Sequence, residues 1–186
     1  MKRLLLLLPL LAAGSCSGSV PIASEHKIES RYHVQDLSYI AAGRDLKTDV
    51  QGNPFNVDQQ LFGDTVTSYL QGVNPGPEIN FTTRPSETAR APYFVRLVFN
   101  GPAASGGAAL CAAAPDVTPA ISPSGNVRVL GAFCRGDQPM TYVSARNSGI
   151  TDVNDPAFRS LVRQVGVMLF PLRNPEDIPN CVPPNC

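Results

Sequence analysis

Residues 93–99 read Tyr93-Phe94-Val95-Arg96-Leu97-Val98-Phe99. β-Branched and aromatic side chains dominate the run, a composition that suits a pleated, half-buried surface. It is therefore read as a strand. Downstream, Val127, Val129 and Leu130 lead into Ala132-Phe133-Cys134, and Arg135-Gly136-Asp137-Gln138 has the character of a hairpin connection into residues 140–145. Residues 108–114, carrying Cys111, read as a further short strand between two small-residue loops at 102–107 and 115–125. Upstream, Leu46, Thr48 and Val50 alternate with Asp45, Lys47 and Asp49, the period of two of a half-buried strand, and Gly52-Asn53-Pro54 ends it. Tyr32 and Val34 alternate with polar neighbours in the same way. Residues 74–91 read as an irregular connection.

Two segments carry the helical period instead. Asn56 is placed as a cap, with Gln59 three residues on completing a capping-box-like pair and Asp58 at the positive end of the dipole. Val57, Leu61, Phe62, Val66, Tyr69, Leu70 and Val73 then form one apolar face, stopped by Asn74-Pro75-Gly76-Pro77. Near the end of the chain, Asp155 caps with Pro156 at the first helical position. Phe158, Leu161, Val162, Val165, Met168 and Leu169 line one face of that helix, Arg159 and Arg163 the other, and Pro171 ends it. Two helices with one apolar stripe each must cover something. The economical answer is an α+β fold: a mainly antiparallel sheet of about four to six strands with both helices on one face.

The N-terminus is of a different kind. Lys2 and Arg3 precede an apolar run from Leu4 to Ala13, broken only by Pro9, too short to span a bilayer and followed by Ala13-Gly14-Ser15-Cys16. This stretch resembles the signal peptide and lipobox of bacterial lipoproteins. The resemblance implies that residues 1–15 are removed and that Cys16 is lipidated with palmitate-like acyl chains. Ala13 stands where the usual pattern has Leu. Each buried methylene contributes about 0.8 kcal/mol, so two or three chains anchor a protein where one barely does. Ser17, which is not acidic, favours the outer membrane in the lipoproteins this leader resembles. Residues 16–27 then read as lipidated cysteine and flexible tether, and residues 28–186 as a single domain with a clipped C-terminal tail.

Five cysteines leave one unpaired in an oxidising compartment. With Cys16 assigned to lipid, Cys111, Cys134, Cys181 and Cys186 remain, and four cysteines permit three pairings. The reading favours Cys111 with Cys134 and Cys181 with Cys186. Loop closure contributes about 3 kcal/mol for the first and about 2 kcal/mol for the second. Neither pair has the Cys-x-x-Cys spacing of a zinc site or a redox dithiol.

Fifteen basic residues balance fifteen acidic ones. Loss of Lys2 and Arg3 with the leader leaves thirteen against fifteen, a net charge of minus two, without the basic patch that binds nucleic acid. His26 and His33 sit at the entrance to the domain and read as solvated. The stretch from Gly101 to Gly107 lacks the Lys-Ser/Thr ending of a phosphate loop. Asp45 with Asp49 reads as outward strand charge, and Asp152 with Asp155 as the flank of a helix start. Asn80-Phe81-Thr82 matches a glycosylation sequon, and Arg135-Gly136-Asp137 an adhesion tripeptide, by pattern alone.

No catalytic residue, metal ligand or cofactor is assigned. The element order is similar to that of small periplasmic lipoprotein domains that regulate cell-wall or outer-membrane machinery, a likeness of order only. The expectation is a lipid-anchored envelope protein, non-enzymatic, acting as an adaptor or assembly factor on an envelope protein partner. The alternative is a periplasmic ligand-binding protein or hydrolase of envelope material, with the loops at 102–107 and 115–125 rimming its pocket.

Overall fold

Alternating side chains sort onto the two faces of one six-stranded sheet. The computed structural model describes residues 20–113 and 125–174. The leader, Cys16, Cys181, Cys186 and nearly all of the 115–125 loop lie outside the described residues. The strands are β1 (Ile22–Ile28), β2 (Asp45–Gln51), β3 (Asn80–Thr82), β4 (Tyr93–Phe99), β5 (Val127–Arg135) and β6 (Gln138–Asn147). Their order is β1-β6-β5-β4-β2-β3. The run from β1 to β4 is antiparallel, while β2 joins both β4 and β3 in parallel. The helices are α1 (Asp36–Ala41), α2 (Gln59–Leu70), α3 (Gly107–Cys111) and α4 (Pro156–Leu169). The fold is thus α+β with a mostly antiparallel sheet, as the sequence leads one to expect.

Val95, Leu97 and Phe99 of β4 face the main core with Val129 and Phe133 of β5 and Val143 and Ala145 of β6. Against them pack Phe62, Val66 and Leu70 of α2 and Phe158, Leu161, Val162, Val165 and Leu169 of α4. Each fully buried Val, Leu or Phe contributes roughly 1.5–3 kcal/mol. Asp155 caps α4 through Ala157 N–H at 2.8 Å, and Pro156 occupies the first turn, as read from the sequence. At Gly131, in the middle of β5, an added Cβ would stand 3.0 Å from Val165 Cγ1 and 3.1 Å from Leu97 Cδ2, so the missing side chain lets α4 lie close.

Several expectations are corrected. Residues 22–27, read as tether, belong to β1, an edge strand hydrogen-bonded to β6. Its side chains are almost all exposed, so it shows none of the apolar alternation that marks a covered strand. The segment with Tyr32 and Val34 is a turn leading into α1. Tyr32 is buried there, and its hydroxyl donates to the Pro171 carbonyl at 2.9 Å. The cap of α2 is Asp58, which accepts from Leu61 N–H at 2.9 Å, whereas Asn56 occupies a left-handed conformation two residues earlier. Leu61, placed on the apolar face, is 55% exposed. The irregular connection at 74–91 contains β3. Finally, the strand expected at 108–114 is replaced by α3, where Ala-Ala-Leu supplies good helix formers.

Candidate binding groove

The opposite face of the sheet carries a second, smaller apolar cluster. Val98 of β4, Leu130, Ala132 and Cys134 of β5 and Tyr142 of β6 meet Leu110 and Cys111 of α3, with Phe94 packed alongside. A five-residue helix is far too short to persist by itself. Three attachments hold it. The Cys111–Cys134 disulfide joins α3 to β5 across a Cα separation of 5.6 Å, as the sequence reading favoured. The Tyr142 hydroxyl donates to the Ser105 carbonyl at 2.7 Å just before the helix, and burial raises the pKa of that phenol. Arg96 donates through one guanidinium nitrogen to the carbonyls of Leu110 and Ala112, the latter at 2.8 Å. A cation is thereby set at the negative end of the helix. Its Nε binds Asp49 of β2 at 2.7 Å, and its guanidinium stands 5.0 Å from the Phe94 ring centre. Arg96 therefore knits β4, β2 and α3 together on this face.

Beside α3 lies an open groove of about 440 Å³. Pro85, Ala89, Ala91 and Pro92 form one wall, Phe94, Cys111 and Ala113 the floor and far wall, and Gly136 and Asp137 of the β5–β6 turn close one end. Lys47 and Arg90 bring positive charge to its lining. The wall at 85–92 is fixed by Asp45, whose carboxylate accepts from Ser86 N–H and Oγ–H at 2.7 Å each and from Asn80 Nδ2 at 2.6 Å. Those donors hold the Asp45 carboxyl below the ordinary carboxylate range, the Ser86 backbone bond most of all. Arg90 stacks over Tyr39 at 3.9 Å, and Gly136 N–H reaches the Pro92 carbonyl at 2.8 Å, tying the hairpin turn to the head of β4. Lys47 also lines a smaller cavity of about 170 Å³ with Asp49, Gln59, Gln60 and Thr83.

The ionisable side chains on the groove are Lys47, Arg90, Tyr93 and Asp137, while Cys111 is engaged in its disulfide and offers no thiolate. His26 lies elsewhere, on β1, with Nε2 2.8 Å from the Met168 carbonyl oxygen, and His33 is in the turn before α1. Asp45 and Asp49, read as free outward charges, are both bonded, to Ser86 and Arg96 respectively. Asn80-Phe81-Thr82 is β3, with Phe81 buried, and Asp137 of the adhesion-like tripeptide lines the groove. Residues 102–107 do not line it, contrary to the expected pair of rimming loops. The sequence did mark the true wall, as the irregular proline-bounded stretch before β4, but nothing in its local pattern says where it folds.

Among the described residues, no three His, Cys, Asp or Glu side chains are placed to hold a metal ion, and no helix is long and apolar enough to cross a membrane. The chain matches no family model, no curated protein and no solved structure.

Proposed function

We propose that the chain is a lipid-anchored component of a bacterial cell envelope, attached to the outer membrane through Cys16 and facing the periplasm. It works there by binding a protein partner, as an adaptor or assembly factor. The leader and the small residues before Cys16 support the anchor. The observation that carries the binding role is the groove beside α3. Its walls are fixed by a disulfide, a buried arginine and the Asp45 hydrogen bonds, so little order is lost when a partner seats. Its lining is mostly apolar, with Lys47 and Arg90 outweighing Asp137, which suits an extended segment of a partner bearing an acidic side chain.

A second reading rests on the groove's size, which falls in the range of small-molecule sites. On that reading the protein binds, or hydrolyses, an anionic amphiphile of envelope material. Hydrolysis needs a nucleophile with a base beside it, and the groove's described lining includes no histidine and a cysteine already bonded.

A photoreactive residue at Ala91, on the exposed groove wall, tests the proposal in cells that carry the full chain. The expected result is one dominant protein adduct that disappears in the Lys47→Glu/Arg90→Glu variant. No protein adduct, together with a small molecule retained in native mass spectrometry, overturns the adaptor role in favour of ligand binding.

A further inference from the structure

At the end of the second face away from the groove, Arg128 of β5 pairs directly with Arg146 of β6, and Arg146 with Ile22 of β1. The flanking Val127, Val129 and Ala145 are buried in the main core, so alternation turns both arginines to the second face. Cross-strand partners share a face, which places Ile22 beside them. Like charges directly opposite each other are destabilising. Arg128 reaches the Gly101 carbonyl at 3.4 Å, and among the described residues neither guanidinium has a carboxylate within 4.0 Å. Glu25, paired with Ser144, is the neighbouring acid on this face, and Lys27 next to it is bound to Glu29 at 2.9 Å. Ile22 is 58% exposed and Val20, two residues nearer Cys16, 77%.

We propose that this basic and apolar end of the sheet rests on the anionic headgroups of the bilayer that holds the Cys16 lipid; the inference depends on the anchor reading. Pro21 is buried against the domain. The five residue steps from Cys16 to Pro21 reach at most about 18 Å, under half the roughly 40 Å diameter of a domain of this size. The domain is held at its own membrane, with nearest to the lipid the two arginines and two exposed apolar side chains that a headgroup layer accommodates. The groove, eight residues along the chain from Arg128 at Gly136, lies about 26 Å away in the direction of β5.

The test uses the mature lipidated protein in phosphatidylethanolamine–phosphatidylglycerol vesicles, with a photoreactive residue at Ile22 or, as the control, at Ser68 on the exposed side of α2. Phospholipid adduct at Ile22 should exceed that at Ser68. Each arginine near an anionic surface contributes about fivefold in affinity, so the Arg128→Gln/Arg146→Gln variant should weaken the contact about 25-fold and bring the Ile22 adduct down to the Ser68 level. The N-terminal peptide is weighed in the same sample. An acylated Cys16 with equal labelling at the two positions overturns the docking alone. A Cys16 peptide without acyl mass overturns the anchor reading and the docking with it.

Discussion

At Arg96 a guanidinium with five donors meets one carboxylate and two helix-end carbonyls, inside a strand otherwise made of apolar residues. Truncation takes the cation from Asp49, which keeps the Gln51 Nε2 donor at 2.9 Å, and leaves the carbonyls of Leu110 and Ala112 without that donor. Breaking a buried pair of this kind costs about 3–5 kcal/mol. The Asp49 side chain is 31% exposed, and water screens part of that loss, so Arg96→Ala is expected to lower stability by about 2–3 kcal/mol in urea unfolding. Arg96→Lys should recover only part of it, because one ammonium cannot reproduce the planar fork. A shift within experimental error for Arg96→Ala would show that α3 is held without it. The sequence exposes the oddity, a lone cation in an apolar run, but not its partner. Asp49 lies 47 positions away and reaches Arg96 only because β2 and β4 pair in parallel. Asp155 was legible for the opposite reason, since a cap and the N–H it accepts from are two residues apart.

Gly166 of α4 faces the end of α2 and the residues just after it. A Cβ there would stand 2.7 Å from Val73 Cγ2 and 2.9 Å from Leu70 Cδ2. Gly166→Ala gains up to about 1 kcal/mol of helix propensity but overpacks the contact, a change that costs roughly 1–3 kcal/mol. The expected net loss is about 1 kcal/mol, read as a lowered midpoint in thermal or urea unfolding, with Val73→Ala restoring part of it in the double variant. A more stable Gly166→Ala protein would mean that the two helices separate freely. Elements with a strong local signal of their own, the period of α2, α4 and β2 and the composition of β4, are where the sequence placed them, to within a few residues. The ones it missed are those whose signal comes from a neighbour. β1 is an edge strand held by hydrogen bonds to β6, and α3 is a single turn held by Arg96 and the Cys111–Cys134 bridge. The groove wall at 85–92 is the same kind of object, ordered by Asp45, which lies 41 residues before Ser86.

The whole molecule has two unequal layers on one sheet. Among the described residues, α2 and α4 cover the first face and α3 covers part of the second, with the groove toward one end and the arginine pair toward the other. Attachment by lipid would give that asymmetry a direction. Cys16→Ala in the full chain is expected to leave the protein in the soluble periplasmic fraction or held as unprocessed precursor, as followed by fractionation and intact mass. A processed variant that stays with the membranes would remove the lipid anchor from the account.

The α+β class, the two long helices with the Asp155 cap, the hairpin at Gly136-Asp137 and the Cys111–Cys134 pairing were all contained in the order of residues. Their determinants, alternation, helical period, caps and a compatible pair of cysteines, are read over short stretches of chain or from a small set of side chains. The strand order, the parallel junction of β2 with β4 and β3, the edge role of β1 and the groove itself were decided only in three dimensions. Each brings together residues tens of positions apart, selected by burial of the core face under α2 and α4 and by hydrogen bonds and a disulfide between distant segments.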